Sequence, residues 1–92
     1  MERNVLEYQG AVNKEKLIRQ FEHSVKMMCD ACDGVIRSED VEKEKRYMDI
    51  VTDSYWMLQG LITAMEYTGV LDSVSAMNID DCISNTWSKY GR

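Results

Sequence analysis

The stretch YWMLQGLI, Tyr55 to Ile62, decides how this chain folds. It is aromatic and aliphatic almost without a break, and polar neighbours on both sides continue a helical spacing. An isolated helix has no means of hiding that much apolar surface, so other helices must cover it. Working outward, Val41, Glu44, Met48, Val51, Tyr55, Leu58, Ile62 and Met65 recur at alternating steps of three and four. That spacing sets one stripe of side chains along a helix. A second row, Tyr47, Ile50, Ser54, Met57, Leu61, Ala64 and Thr68, widens the stripe into an arc. The spacing predicts a long helix over 38–68, opened at Ser38 with Glu39 and Asp40 in its first turn and closed by Gly69.

Upstream, Ile18, Phe21, Val25, Met28, Cys32 and Val35 follow the same steps of three and four, which predicts a helix over 14–33. Asn13 is its expected N-cap and Gly34 its expected stop. Residues 1–12 do not extend that stripe and are read as an N-terminal arm, with a helical form left open. Downstream, Asn78 can cap a third helix over 78–90, with Asp80 and Asp81 in its first turn and Lys89 in its last. Its stripe is Ala76, Ile79, Ile83, Thr86 and Tyr90, flanked by Cys82 and Trp87.

The chain has 92 residues, no proline, and glycines placed mostly where helical segments would end. One all-α domain is expected: a helical hairpin with a long central helix plus a third, C-terminal helix. A first helix of about 20 residues reaches only about 30 Å along its partner, short of the central helix. Self-association as a homodimeric helical bundle is therefore expected, through Tyr55, Met57, Leu58, Leu61, Ile62 and Met65.

Composition bounds the function. A net charge of −5 argues against a nucleic-acid binder, which normally carries a basic face. Acidic residues interleave with Lys14, Lys16, Arg19, Lys26, Lys43, Lys45 and Arg46 in similar number, so no basic patch is formed. A helix-turn-helix around Met65–Gly69–Ser75 would carry an acidic reading helix, and direct DNA contact is not expected. No secretory signal and no run long enough to span a bilayer are read, so a cytoplasmic protein with no membrane association is expected. Three cysteines fit a reducing compartment.

The CDAC stretch, Cys29 to Cys32, raises zinc or redox chemistry. Zinc needs four N or S ligands, and the remaining candidates are Cys82 and the lone His23. His23 precedes Cys29 by six residues, about 240° around the helix, and does not converge with it. Near a helix C-terminus the dipole also opposes a thiolate. Two small buried side chains are the simpler reading, and no metal, cofactor or catalytic residue is assigned.

Glu39, Glu42, Asp49 and Asp53 could in principle hold magnesium for nucleotide hydrolysis across a dimer, and that is the alternative function. Interleaved Lys43, Lys45 and Arg46 instead suggest Glu39–Lys43 and Glu42–Arg46 pairs on a solvated face. A purely structural oligomerisation unit is a third option. More informative is the row opposite the main seam, Asp49, Asp53, Trp56, Gly60, Thr63 and Tyr67. It joins acids to two large aromatics, the usual anchors of interfaces, around a glycine that costs a helix interior about 1 kcal/mol relative to alanine. The competing reading has Trp87 and Tyr90 of the third helix packing against this row. The expected function is protein–protein interaction: a non-enzymatic adaptor or inhibitor docking another protein through Asp49, Asp53, Trp56, Gly60 and Tyr67. Size and composition also suit an accessory protein of a phage or mobile element.

Overall fold

A computed structural model describes the backbone of residues 2–92 and the side chains of residues 14–92. Three helices form and, among the described residues, no strand: α1 (Glu2–Arg37), α2 (Val41–Tyr67) and α3 (Ser73–Tyr90). The short 38–40 connection makes α1 and α2 an antiparallel hairpin, and α3 turns back along α2 after residues 68–72. Helix α2 therefore lies between the other two.

Its seam is the one the spacing predicts over its C-terminal two-thirds. Val51, Tyr55, Leu58, Ile62 and Met65 are buried, and Val51 and Leu58 lose all contact with solvent. Met28, Ala31 and Cys32 of α1 and Ala76 and Ile83 of α3 complete the core, with Phe21, Val25, Leu71, Ile79, Trp87 and Tyr90 packed around it. The seam's first position, Val41, is 64% exposed, so burial begins well inside the helix and not at its start.

Helix boundaries differ from expectation in ways that have physical causes. Helix α1 already runs from Glu2, so the backbone of residues 2–12 is helical and Asn13 is not a cap. The stripe test asked which residues are buried. Whether they are helical is a separate matter, because extending a formed helix through proline-free sequence costs little. Any side-chain role for the arm lies outside the described residues. The consequence is larger than the boundary shift: with 36 residues against 27, α1 is long enough to flank all of α2. Within the chain, Val51, Tyr55, Leu58, Ile62 and Met65 of the seam are already shielded from water.

Gly34 does not stop α1, which continues to Arg37. A Cβ at Gly34 would lie 2.5 Å from Cδ1 of the Tyr47 ring, so this glycine lets α2 approach. The start of α2 moves from Ser38 to Val41. Asp40 is the N-cap and accepts from the Glu42 N–H at 3.0 Å, while the Ser38 hydroxyl donates to the Asp40 carbonyl at 2.9 Å.

At the other end Gly69 closes α2 as expected, with φ +81°. The Val70 N–H reaches back to the Met65 carbonyl at 2.8 Å and the Gly69 N–H to the Glu66 carbonyl at 3.1 Å, the paired bonds of a Schellman motif. Helix α3 begins at Ser73 and not at Asn78, because Asp72 caps it by accepting from the Ser75 N–H at 2.6 Å. These bonds hold the Asp72 carboxyl below its ordinary range.

A trio of aromatics fastens α3 to α2. The Trp87 ring stacks on Tyr55, centroids 4.4 Å apart and planes 11° from parallel, with Trp56 edge-on to both. The Trp87 Nε1–H donates to Thr52 Oγ1 at 3.1 Å. That same hydroxyl accepts from the Arg92 N–H at 2.8 Å and donates to the Arg92 carbonyl at 3.0 Å, which pins the last residues to α2. Gln59 of α2 and Asp80 of α3 share a further hydrogen bond.

Candidate docking groove

With α1 and α3 placed, the two faces of YWMLQGLI separate. Tyr55, Leu58 and Ile62 point into the core, and Met65 one turn on is buried with them. These four were expected to meet a second copy, and that assignment is corrected: helices of the same chain already shield them from water. The remaining two, Met57 and Leu61, lie elsewhere. Met57 is 48% exposed and Leu61 half-buried.

The outward row Asp49, Asp53, Trp56, Gly60, Thr63 and Tyr67 is exposed at every position. Helix α3 packs along Thr52, Tyr55 and Gln59, to one side of this row. Helix α3 thus lies beside most of the row and meets it at Trp56, whose ring is edge-on to Trp87. Trp56 itself stays 59% exposed and Tyr67 92% exposed.

Between α1 and α2 an open groove of ≈ 630 Å³ is lined by Arg19, Gln20, His23 and Ser24 on one side and by Trp56, Met57, Gly60 and Leu61 on the other. Residues that the sequence divided between self-association (Met57, Leu61) and partner binding (Trp56, Gly60) thus meet on one surface. Asp49, Asp53 and Tyr67 lie on the same outer row but do not line the groove. The α2 wall carries no charge, and the α1 edge supplies the cation Arg19.

Gly60 floors this groove, and its own chain makes no use of it. A Cβ there would meet no atom within 4 Å, and its φ is not in the left-handed region. The fold therefore tolerates a side chain at 60 but not at 34. Gly60→Ala is expected to raise stability by about 1 kcal/mol through helix propensity. Gly34→Ala should instead lower it by about 1 kcal/mol or more, because the Tyr47 ring must move. Chemical denaturation of the two variants checks the opposite signs.

Ser24 and Ser54 are wholly buried, and among the described residues their hydroxyls have no hydrogen-bond partner. Small side chains here let α1 and α2 approach closely, at the expense of two unsatisfied groups. The sequence stripe passed over Ser24 and Ala31 because it weighed apolarity and not size. Close helix contact selects for small residues as well.

Elsewhere the chemistry is sparse. Cys29 and Cys82 are exposed and Cys32 is buried. Burial, with Cys29 adding to it, pushes the Cys32 thiol up and away from the thiolate that redox exchange needs. Among the described residues no three His, Cys, Asp or Glu side chains converge to hold an ion. Glu39 lies at the α1–α2 turn, and Glu42, Asp49 and Asp53 are exposed along α2. The Glu39–Lys43 and Glu42–Arg46 pairs do not form. Among the described residues the ion pair that does is Arg37–Asp33, at 3.1 Å on the surface. Exposed pairs offer little to offset the side-chain freedom they give up.

No family model, no curated protein and no solved structure matches the chain. No helix among the described residues is long and apolar enough to cross a membrane.

Proposed function

We propose that this protein is a non-enzymatic interaction module, an adaptor or inhibitor that docks another protein in the groove between α1 and α2. The observation that carries this reading is the exposed Trp56 and Met57 beside a glycine whose missing side chain the fold does not require. An apolar floor with one aromatic anchor and a cationic edge suits an apolar segment flanked by an acidic side chain. A cytoplasmic setting and a regulatory role fit the reducing cysteine chemistry and the small acidic chain. Tyr67 extends the surface beyond the groove, and Asp49 and Asp53 give its outer row a negative end.

The test is affinity capture with the intact chain and with Met57→Glu, an exposed position where a charge leaves the core untouched. Docking is expected to weaken at least tenfold, so that proteins retained by the native chain are lost while the circular dichroism melt is unchanged. Trp56→Ala serves as a second variant, judged against its own melt because that ring also touches Tyr55 and Trp87. Retention of the same proteins by both variants would remove the groove as the docking site.

A further inference from the structure

We infer that the groove is also the protein's self-association site: a second copy of the chain occupies it, with Trp56 of each copy set over Gly60 of the other. This rests on the reading of the groove as a docking surface and names one occupant of it. Three features carry it.

The first is exposure. Arg19, Gln20 and His23 of α1 and Trp56, Met57 and Gly60 of α2 are all exposed, so the groove is open along both of its walls.

The second is shape. A two-fold interface must be self-complementary, presenting a knob and a hole on the same patch. Trp56 is a half-exposed knob, and Gly60, one helical turn away, is an open floor with no neighbouring atom to obstruct it. Placing the two-fold axis at the level of Leu58 sets the α2 helices antiparallel and each Trp56 opposite the other copy's Gly60.

The third is charge. In that register Asp53 of the second copy comes opposite Thr63. Lys16 and Arg19 of α1 flank that level, since α1 runs antiparallel to α2 and brings Arg19 and Gln20 beside Gly60. Asp53, Lys16 and Arg19 are all exposed, so they are available to one another across the two-fold. The acidic end of the outer row and the cationic edge of the groove are thereby matched twice. Occupation by a second copy and docking of another protein are mutually exclusive, so dissociation of the dimer precedes docking.

Light scattering on the intact, reduced chain over a concentration series provides the test. A mass twice 10.7 kDa is expected, falling toward the single-chain mass on dilution. Asp53→Lys and Arg19→Glu should each weaken the dimer at least tenfold, and the two combined should restore it. Raising the salt concentration should weaken the native dimer. A single-chain mass at every concentration would overturn the inference, as would a dimer that neither charge reversal nor Met57→Glu affects. A monomer that still loses its captured protein on Met57→Glu would sink the second copy and leave the docking reading standing. A groove-dependent dimer with no other protein captured would do the reverse.

Discussion

Leu58→Ala is expected to destabilise the domain by about 3–5 kcal/mol, the upper range for deleting a leucine side chain from a packed site. Leu58 has no solvent exposure and sits where α1, α2 and α3 share one core, so no single helix can shift to fill the space. A domain of this size has a total stability of about 5–14 kcal/mol, so the loss takes a large share of it. Urea unfolding followed by circular dichroism should show a markedly lower midpoint with a similar slope. A loss below about 1 kcal/mol would mean that Leu58 is not at the centre of a cooperative core.

The second large effect is expected at Trp87. Trp87→Ala removes the ring stacked on Tyr55, the edge contact with Trp56 and the hydrogen bond to Thr52. Removing a buried aromatic typically costs about 3–5 kcal/mol, and Trp87 is only partly buried, so about 3 kcal/mol is expected. The loss should be local. Helix α3 is fastened chiefly to α2, whereas α1 and α2 are joined along most of α2 and share Met28, Ala31 and Cys32 in the core. Amides of α3 should therefore lose hydrogen-exchange protection first, while those of α2 from Val51 to Met65 keep theirs. Equal loss across all three helices would show that the domain opens as one unit.

Much of this core could be read directly from spacing. Val51, Tyr55, Leu58, Ile62 and Met65 recur at steps of three and four, and a helix with that pattern has one way to bury it. The Gly69 stop was equally legible, because an αL position after an apolar helix strongly favours glycine. Two kinds of feature were not. The start of α3 is not legible in the sequence, because Asn78 is as good a capping residue as Asp72 and local chemistry does not rank them. Which one caps depends on how the chain leaves the Schellman turn. Gly34 looked like a stop, yet its role is steric and depends on Tyr47, a residue on another helix.

The candidate site shows the same division. The outward row was legible, since Asp49, Asp53, Trp56, Gly60 and Tyr67 share one helical face, and all are exposed. The α1 side of the groove was not, because Arg19, Gln20 and His23 acquire meaning only once the hairpin register brings them beside Gly60. Burial of Tyr55, Leu58, Ile62 and Met65 within the chain leaves the outer groove as the surface for self-association.

The groove as docking site is tested most directly by a photo-crosslinking residue introduced at Gln20, which is exposed on the α1 edge, with Glu22 on another face of α1 as control. Cross-linking in cells of the protein's source, followed by mass spectrometry, identifies what lies there. Adducts are expected from position 20, to a second copy or to another protein, that disappear with Met57→Glu and are absent from position 22. Equal adducts from both positions, or none from position 20, would contradict it.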